Sequence, residues 1–220
     1  ASPAHSAGQS YTLKFPTNNV TAGSALVVDS ISGSGTTATG QLTFGSAGGL
    51  NLIQTTTVSS ATSSVSIDGQ FSSSFDKYLI SIIEMKISEN ATISYRHNHS
   101  GSAISSTNYK AAAQVYDSLT NTNNDAGQSR NYAAMHGTSQ FGNNVNYGFN
   151  ANIFINDPLS TVGFCSSFGQ SATYTSGDAM QMANFSNILT VSANTPTSGI
   201  TIFTHAGNIN TAVIKLYGLS

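Results

Sequence analysis

An all-β fold is predicted for this chain, an antiparallel β-sandwich of jelly-roll-like kind with an extended N-terminal β-arm. Three observations predict it: short runs rich in Ile, Val, Phe and Tyr, punctuation of each run by Gly, Asn, Ser or Pro, and few stretches with apolar spacing of helical period. A length of 220 residues holds one sizeable core plus an arm, not several globular domains. With 7 basic and 9 acidic residues, solubility must rest on neutral hydroxyls and amides, a coat suited to proteins outside cells or inside assemblies rather than to cytoplasmic enzymes. The 11 Phe and 9 Tyr argue against disorder. Lys and Arg are scattered singly, which leaves no footprint for a phosphate backbone, so no nucleic-acid partner is expected. No run approaches the roughly 18 apolar residues of a membrane span, so no membrane insertion is expected.

Residues 1–49 read as an extended arm or linker. Tyr11 to Phe15, Ala25 to Val28 and Gln41 to Phe44 are short apolar stretches separated by Pro16-Thr17-Asn18-Asn19, Ser32-Gly33-Ser34-Gly35 and Ser46-Ala47-Gly48-Gly49. The Gly-rich link between the second and third stretches predicts that one returns against the other as a hairpin. A two-stranded unit lacks a second layer, so the arm is expected to pack on the main domain or on another copy. Residues 50–220 read as the head. Tyr78 to Ile87 is a long Ile-rich run with Ser81, Glu84 and Lys86 as its polar breaks, and predicts a central strand. Further strands are predicted at Val65 to Asp68, Ala91 to Tyr95, Val145 to Ile155, Thr161 to Cys165, Phe185 to Val191, Gly199 to Thr204 and Val213 to Leu219. Tyr109 to Leu119 fits a short helix or an aromatic-edged strand, and the polar run Asn121 to Gln128 is expected to be an exposed loop.

Phe15-Pro16-Thr17 through Ala22-Gly23-Ser24-Ala25-Leu26, then Gly33-Ser34-Gly35 and Leu42-Thr43-Phe44, resembles the linker that precedes the distal head of bacteriophage tail-fibre proteins. Ser72-Ser73-Ser74-Phe75-Asp76-Lys77-Tyr78, Ser198-Gly199-Ile200, Gly207-Asn208-Ile209 and Leu216-Tyr217-Gly218-Leu219 resemble the opening and closing strands of such a head. The resemblance implies a homotrimer, a β-sandwich head, attachment to other virion proteins at the particle surface and binding of host surface glycans. The chain departs from the pattern in lacking a long repetitive shaft and an obvious virion-anchoring domain. That departure keeps open a capsid decoration, a connector or a head fibre with no receptor role.

The residues expected to contact a glycan are Tyr95, Arg96, Tyr109, Tyr132 and His136, which lie in or beside the polar stretches of residues 95–140. Amides and hydroxyls beside Tyr faces suit sugar recognition, where linked copies turn weak contacts into avidity. His97 and His99, spaced i and i+2 on an extended chain, point to one side and form a weak candidate metal pair. Two ligands do not complete a site, and the following Ser100-Gly101-Ser102 suggests solvated loop histidines, so neither metal nor cofactor is expected. Cys165, the single cysteine, sits in an apolar run and reads as a buried, inert thiol. No serine has both glycines of a nucleophile elbow. The two glutamates, Glu84 and Glu89, fit structural or edge roles, a catalytic acid pair would arise only by tertiary proximity, and Asp117 and Asp125 would have to converge with a like pair from a neighbouring chain at a subunit boundary. The chain is accordingly expected to be no enzyme, with a small glycan-degrading spike as the catalytic alternative.

Overall fold

The computed structural model describes residues 12–17, 25–34, 38–45, 49–119, 121–136, 140–191 and 195–219, with 121–129 described by their backbone. The chain divides into two compact units, Ala1–Asn51 and Leu52–Ser220. In the first, β1 (Thr12–Lys14), β2 (Ala25–Ser32) and β3 (Thr39–Gly45) form a sheet in the order β1-β3-β2. The returning hairpin expected from the sequence forms: β2 runs antiparallel to β3, with Leu26 opposite Phe44 and Val28 opposite Leu42. β1 instead pairs in parallel with β3. Leu42 is buried, but Phe15 and Ile31 remain 74% and 72% exposed. The turn residues Asn18, Asn19, Gly35 and 46–48, together with His5, lie outside the described residues.

From β4 (Leu50–Val58), whose first two residues close the first unit, the chain continues with β5 (Ser64–Ile67), β6 (Lys77–Ile87), β7 (Ile93–His99), β8 (Ser102–Ala103), β9 (Tyr109–Asp117) and β10 (Asn121–Arg130). It closes with β11 (Ala133–Ala134), β12 (Phe149–Asn156), β13 (Cys165–Tyr174), β14 (Met180–Leu189), β15 (Gly199–Thr204) and β16 (Ile209–Leu219). No helix occurs among the described residues. An eight-stranded sheet runs β10-β9-β14-β13-β12-β6-β16-β4, and a five-stranded sheet runs β11-β7-β15-β5 with β8 on β7. The two pack together as an antiparallel sandwich. Tyr78, Ile80, Ile153 and Ile214 of the large sheet share one apolar core with Ile67, Ile93, Ile200 and Ile202 of the small one.

The Ile-rich run becomes β6, an interior strand between β12 and β16. Its inward positions are Tyr78, Ile80 and Ile82, then Met85 and Ile87, a step of three where the pleat demands two. Glu84 absorbs the extra residue at φ 50°, and its main-chain N–H donates to Asn150 Oδ1 at 3.0 Å. Opposite this point the registers with β12 and with β16 both shift, as a β-bulge requires. The glutamate that interrupts the Ile pattern thus marks the bulge.

Three other segments are decided or corrected. Residues 109–117 form β9, with alternate residues from Tyr109 to Val115 buried, so the helical option is set aside. The polar run expected as a loop is the strand β10, paired antiparallel with β9 from Asn121 to Gly127. Main-chain pairing holds an edge strand without an apolar side-chain set, which is why the polar composition misled. β7 continues through the Arg96–His99 stretch, and the chain turns only at Ser100 and Gly101, both at positive φ.

Candidate functional site

The outer face of the eight-stranded sheet inverts the usual pattern. β13 buries Cys165, Ser167, Gly169, Ser171 and Thr173 and turns Phe168, Gln170 and Tyr174 outward, while β14 turns out Met180, Met182 and Ile188. Phe168 is 47% and Met182 45% exposed. Exposed apolar area gathered on one face marks a contact surface. Cross-strand register sets a row of polar side chains across it: Ser81 faces Asn152, which faces Gln170, then Asn184, then Gln114. Neighbouring strands lie about 4.8 Å apart, so five strands carry this row over roughly 19 Å. Gln170 Nε2 donates to Asn184 Oδ1 at 2.9 Å, which fixes both amide planes. On one flank Phe154 and Phe168 stack with centroids 5.2 Å apart and an interplanar angle of 15°. On the other flank Met182 faces Tyr116. Two shallow grooves border the row and share Asn152 and Gln170, one of about 310 Å³ beside Ile83 and Met182, the other of about 560 Å³ beside Phe154 and Phe168.

The five residues expected to contact a glycan divide into two groups. Tyr95, Tyr109 and His136 are buried, so they are core groups and present no surface to a ligand. Tyr95 points inward from β7, its hydroxyl 2.5 Å from Ser167 Oγ and 3.4 Å from Asn187 Nδ2. Asn187 in turn brackets Ala134 through both its amide atoms. The Tyr109 hydroxyl accepts the His97 main-chain N–H at 2.9 Å and donates to Ile104 O at 3.1 Å. Burial raises both phenols above the usual tyrosine range, so they act as neutral hydrogen-bonding groups. His136 packs edge-on against Phe141. Their polar sequence surroundings were misleading because strand alternation, not local polarity, decides which side chain faces the core.

Arg96 and Tyr132 are half-buried, and both pack against Phe203. The Arg96 guanidinium carbon lies 4.4 Å from the Phe203 ring centroid, and its Nε donates to Asn131 O at 2.8 Å. Tyr132 stands edge-on to His205, with ring centroids 4.7 Å apart, and Arg130 lies 5.7 Å from the Tyr132 ring. Phe203 and His205 were not singled out in the sequence. The alternation of β15, which buries Ile200, Ile202 and Thr204, turns Phe203 outward, and His205 follows directly after the strand's end, exposed.

His97 is buried, stacked on Tyr109 at 6.2 Å, and its Nδ1 lies 3.7 Å from Cys165 Sγ. His99 Nδ1 is 2.7 Å from Pro196 O. Among the described residues no group of three or more His, Cys, Asp or Glu is arranged to hold a metal ion. A cysteine beside a histidine invites comparison with a nucleophilic dyad, but burial opposes it. It drives His97 down to about 4 and Cys165 up to about 12, so the proton stays on sulfur. The folded protein is expected to leave Cys165 unmodified by iodoacetamide at about pH 8, with alkylation appearing on unfolding in urea, as mass spectrometry would read. Rapid alkylation of the folded chain would contradict this burial. As for the acid pair, Asp125 sits opposite Ala113, four positions along β9 from Asp117. That register separates their backbones by roughly 13 Å within one chain.

The fold and its exposed faces define an all-β sandwich with an amide and aromatic surface on its larger sheet and a cation and aromatic corner on its smaller one. No family model matches the chain, and no curated protein matches it.

Proposed function

We propose that the chain is a structural fibre protein of a virus particle, assembled as a homotrimer with other virion proteins at the particle surface. Its head binds neutral host glycans through the outer face of the large sheet and performs no chemistry on them. The observation that carries this reading is the row Asn152, Gln170, Asn184 and Gln114 beside the stacked Phe154 and Phe168. An amide offers a donor and an acceptor in one plane, which matches neighbouring sugar hydroxyls, and an aromatic ring offers an apolar body to the C–H face of a sugar. Each contact is weak, and linking copies raises avidity by about 10² to 10⁴. The exposed Phe15 and Ile31 of the arm support self-association, since apolar area of this kind is ordinarily covered by a partner.

The test uses the assembled oligomer, sized by light scattering, passed over immobilised neutral host-type polysaccharides while new reducing ends are measured. Retention without cleavage is expected. Replacing Phe168 and Gln170 together by alanine is expected to lower retention about tenfold or more at unchanged fold and oligomeric state. Cleavage abolished by an Asp to Asn change would replace adhesion with the glycan-degrading spike. A second reading, a capsid decoration or connector, draws on Met180, Met182 and Ile188, which the same face exposes and a neighbouring shell protein would cover. Absence of both retention and cleavage would favour it.

A further inference from the structure

The chain has two arginines, Arg96 and Arg130, and both reach one corner of the head. There the chain leaves the edge strand β10 of the large sheet and, through Asn131 and Tyr132, enters the edge strand β11 of the small one. Arg96 is held at two points. The face of its guanidinium rests on Phe203, and its Nε is hydrogen-bonded to Asn131 O, a main-chain acceptor, with no carboxylate partner among the described residues. The orientation therefore comes from a ring and a carbonyl rather than from a carboxylate. Beside it, Tyr132 is wedged edge-on against both Phe203 and His205, with centroids at 6.4 and 4.7 Å. His205 Nε2 lies 3.0 Å from Ser94 Oγ, which fixes the imidazole in turn.

We propose that this corner binds a carboxylate-bearing sugar residue: the terminal nitrogens of Arg96 take the carboxylate, and the Tyr132 and His205 rings flank the pyranose. A guanidinium presents paired N–H donors in the geometry of a carboxylate, and one already oriented by stacking loses little freedom on binding. An aromatic ring next to the charge adds a surface for the apolar face of the sugar, which a bare phosphate cannot use. The Arg96 guanidinium held at this aromatic corner gives it a local preference for anions. The site shares no residue with the amide row of the large sheet, so its failure and the failure of the neutral-glycan reading are separable.

The test is titration of the full oligomer with tri-galacturonate and with sialyllactose, each beside its carboxyl-reduced counterpart and beside inorganic phosphate. In the oligomer with Phe168 and Gln170 replaced by alanine, which removes the neutral-glycan row, binding of at least one acidic sugar is expected, with loss on carboxyl reduction and weakening as salt rises. On that background Arg96→Gln is expected to lower affinity about tenfold or more, and Arg96→Lys to restore only part of it, because a point charge lacks the paired donors. Tyr132→Ala should weaken sugar binding while leaving any phosphate binding unchanged. Thermal melting of each variant separates loss of binding from loss of fold, and Arg96→Lys keeps the charge should Arg96→Gln fail to fold. No binding of either acidic sugar by the oligomer lacking the row overturns the proposal. So does equal binding there after carboxyl reduction, full affinity in a folded Arg96→Gln protein on that background, or phosphate binding as tight as that of the sugars.

Discussion

Lowering the pH from about 7.5 to about 4 is expected to cost the head on the order of 3 kcal/mol of stability through His97 alone. Its imidazole is enclosed between Tyr95, Tyr109 and Cys165, and burial drives its pKa from the ordinary 6.5 down to about 4. Between those two values the unfolded chain takes up a proton that the folded chain refuses. Stability is therefore fully present above pH 6.5 and is lost as the pH falls towards 4. His205 adds in the same direction, because burial and then the nearby Arg96 charge lower its pKa. Urea unfolding across this range would show the slope. His97→Phe should flatten most of it, since the ring shape is kept and the titrating group removed. A slope unchanged in that variant would mean that other groups govern acid sensitivity.

Gly169→Ala is expected to destabilise the head by about 3 kcal/mol or more, enough to threaten folding. Gly169 lies between Ile153 on β12 and Phe185 on β14, at the middle of three strands held in continuous register. A β-carbon there would stand 2.0 Å from the main-chain oxygen of Asn152 and 2.7 Å from the Phe185 ring. The ring can turn, but the carbonyl belongs to a strand paired on both sides, so β12 and β13 would have to part. Gly163→Ala serves as the control, because its added carbon meets only Ser160 Oγ at an ordinary 3.5 Å. The urea midpoint of each variant checks the contrast, and equal stability of the two would refute the close approach of β12 and β13.

The parts of the fold legible in the sequence are those in which burial and hydrophobicity coincide. β6 and β15 carry Ile at their inward positions, and their polar breaks fall outside or, at Glu84, on the bulge. β13 escapes such reading over most of its length: its buried side is Cys, Ser, Gly, Ser and Thr, and its aromatic residues face outward. Small polar residues are accepted inside because partners meet them, Ser167 with Tyr95 and Ser171 with Met135 O. Those partners lie 72 and 36 residues away in sequence, so no local pattern announces them. The amide row was invisible for the same reason, being one residue from each of several strands, joined only by register. Arg96 and Tyr132 stand out in the sequence by the polar stretches around them, whereas Phe203 and His205, which pack beside them, lie over 70 residues away in sequence.

The bulge at Glu84 bears on how the large sheet assembles. An ordinary strand can slide past its neighbour in steps of two and keep its apolar residues inward, so misaligned pairings compete with the native one. β6 is denied that freedom on both edges. Its inward spacing changes once, between Ile82 and Met85, and the kink fits only where Phe149 and Ala151 meet it on one side and Thr211 and Val213 on the other. The notch therefore acts as an alignment key for three strands drawn from distant parts of the chain. A two-residue slip would put the kink against regular backbone and, in one of its two directions, bring Glu84 to the position built for Ile82.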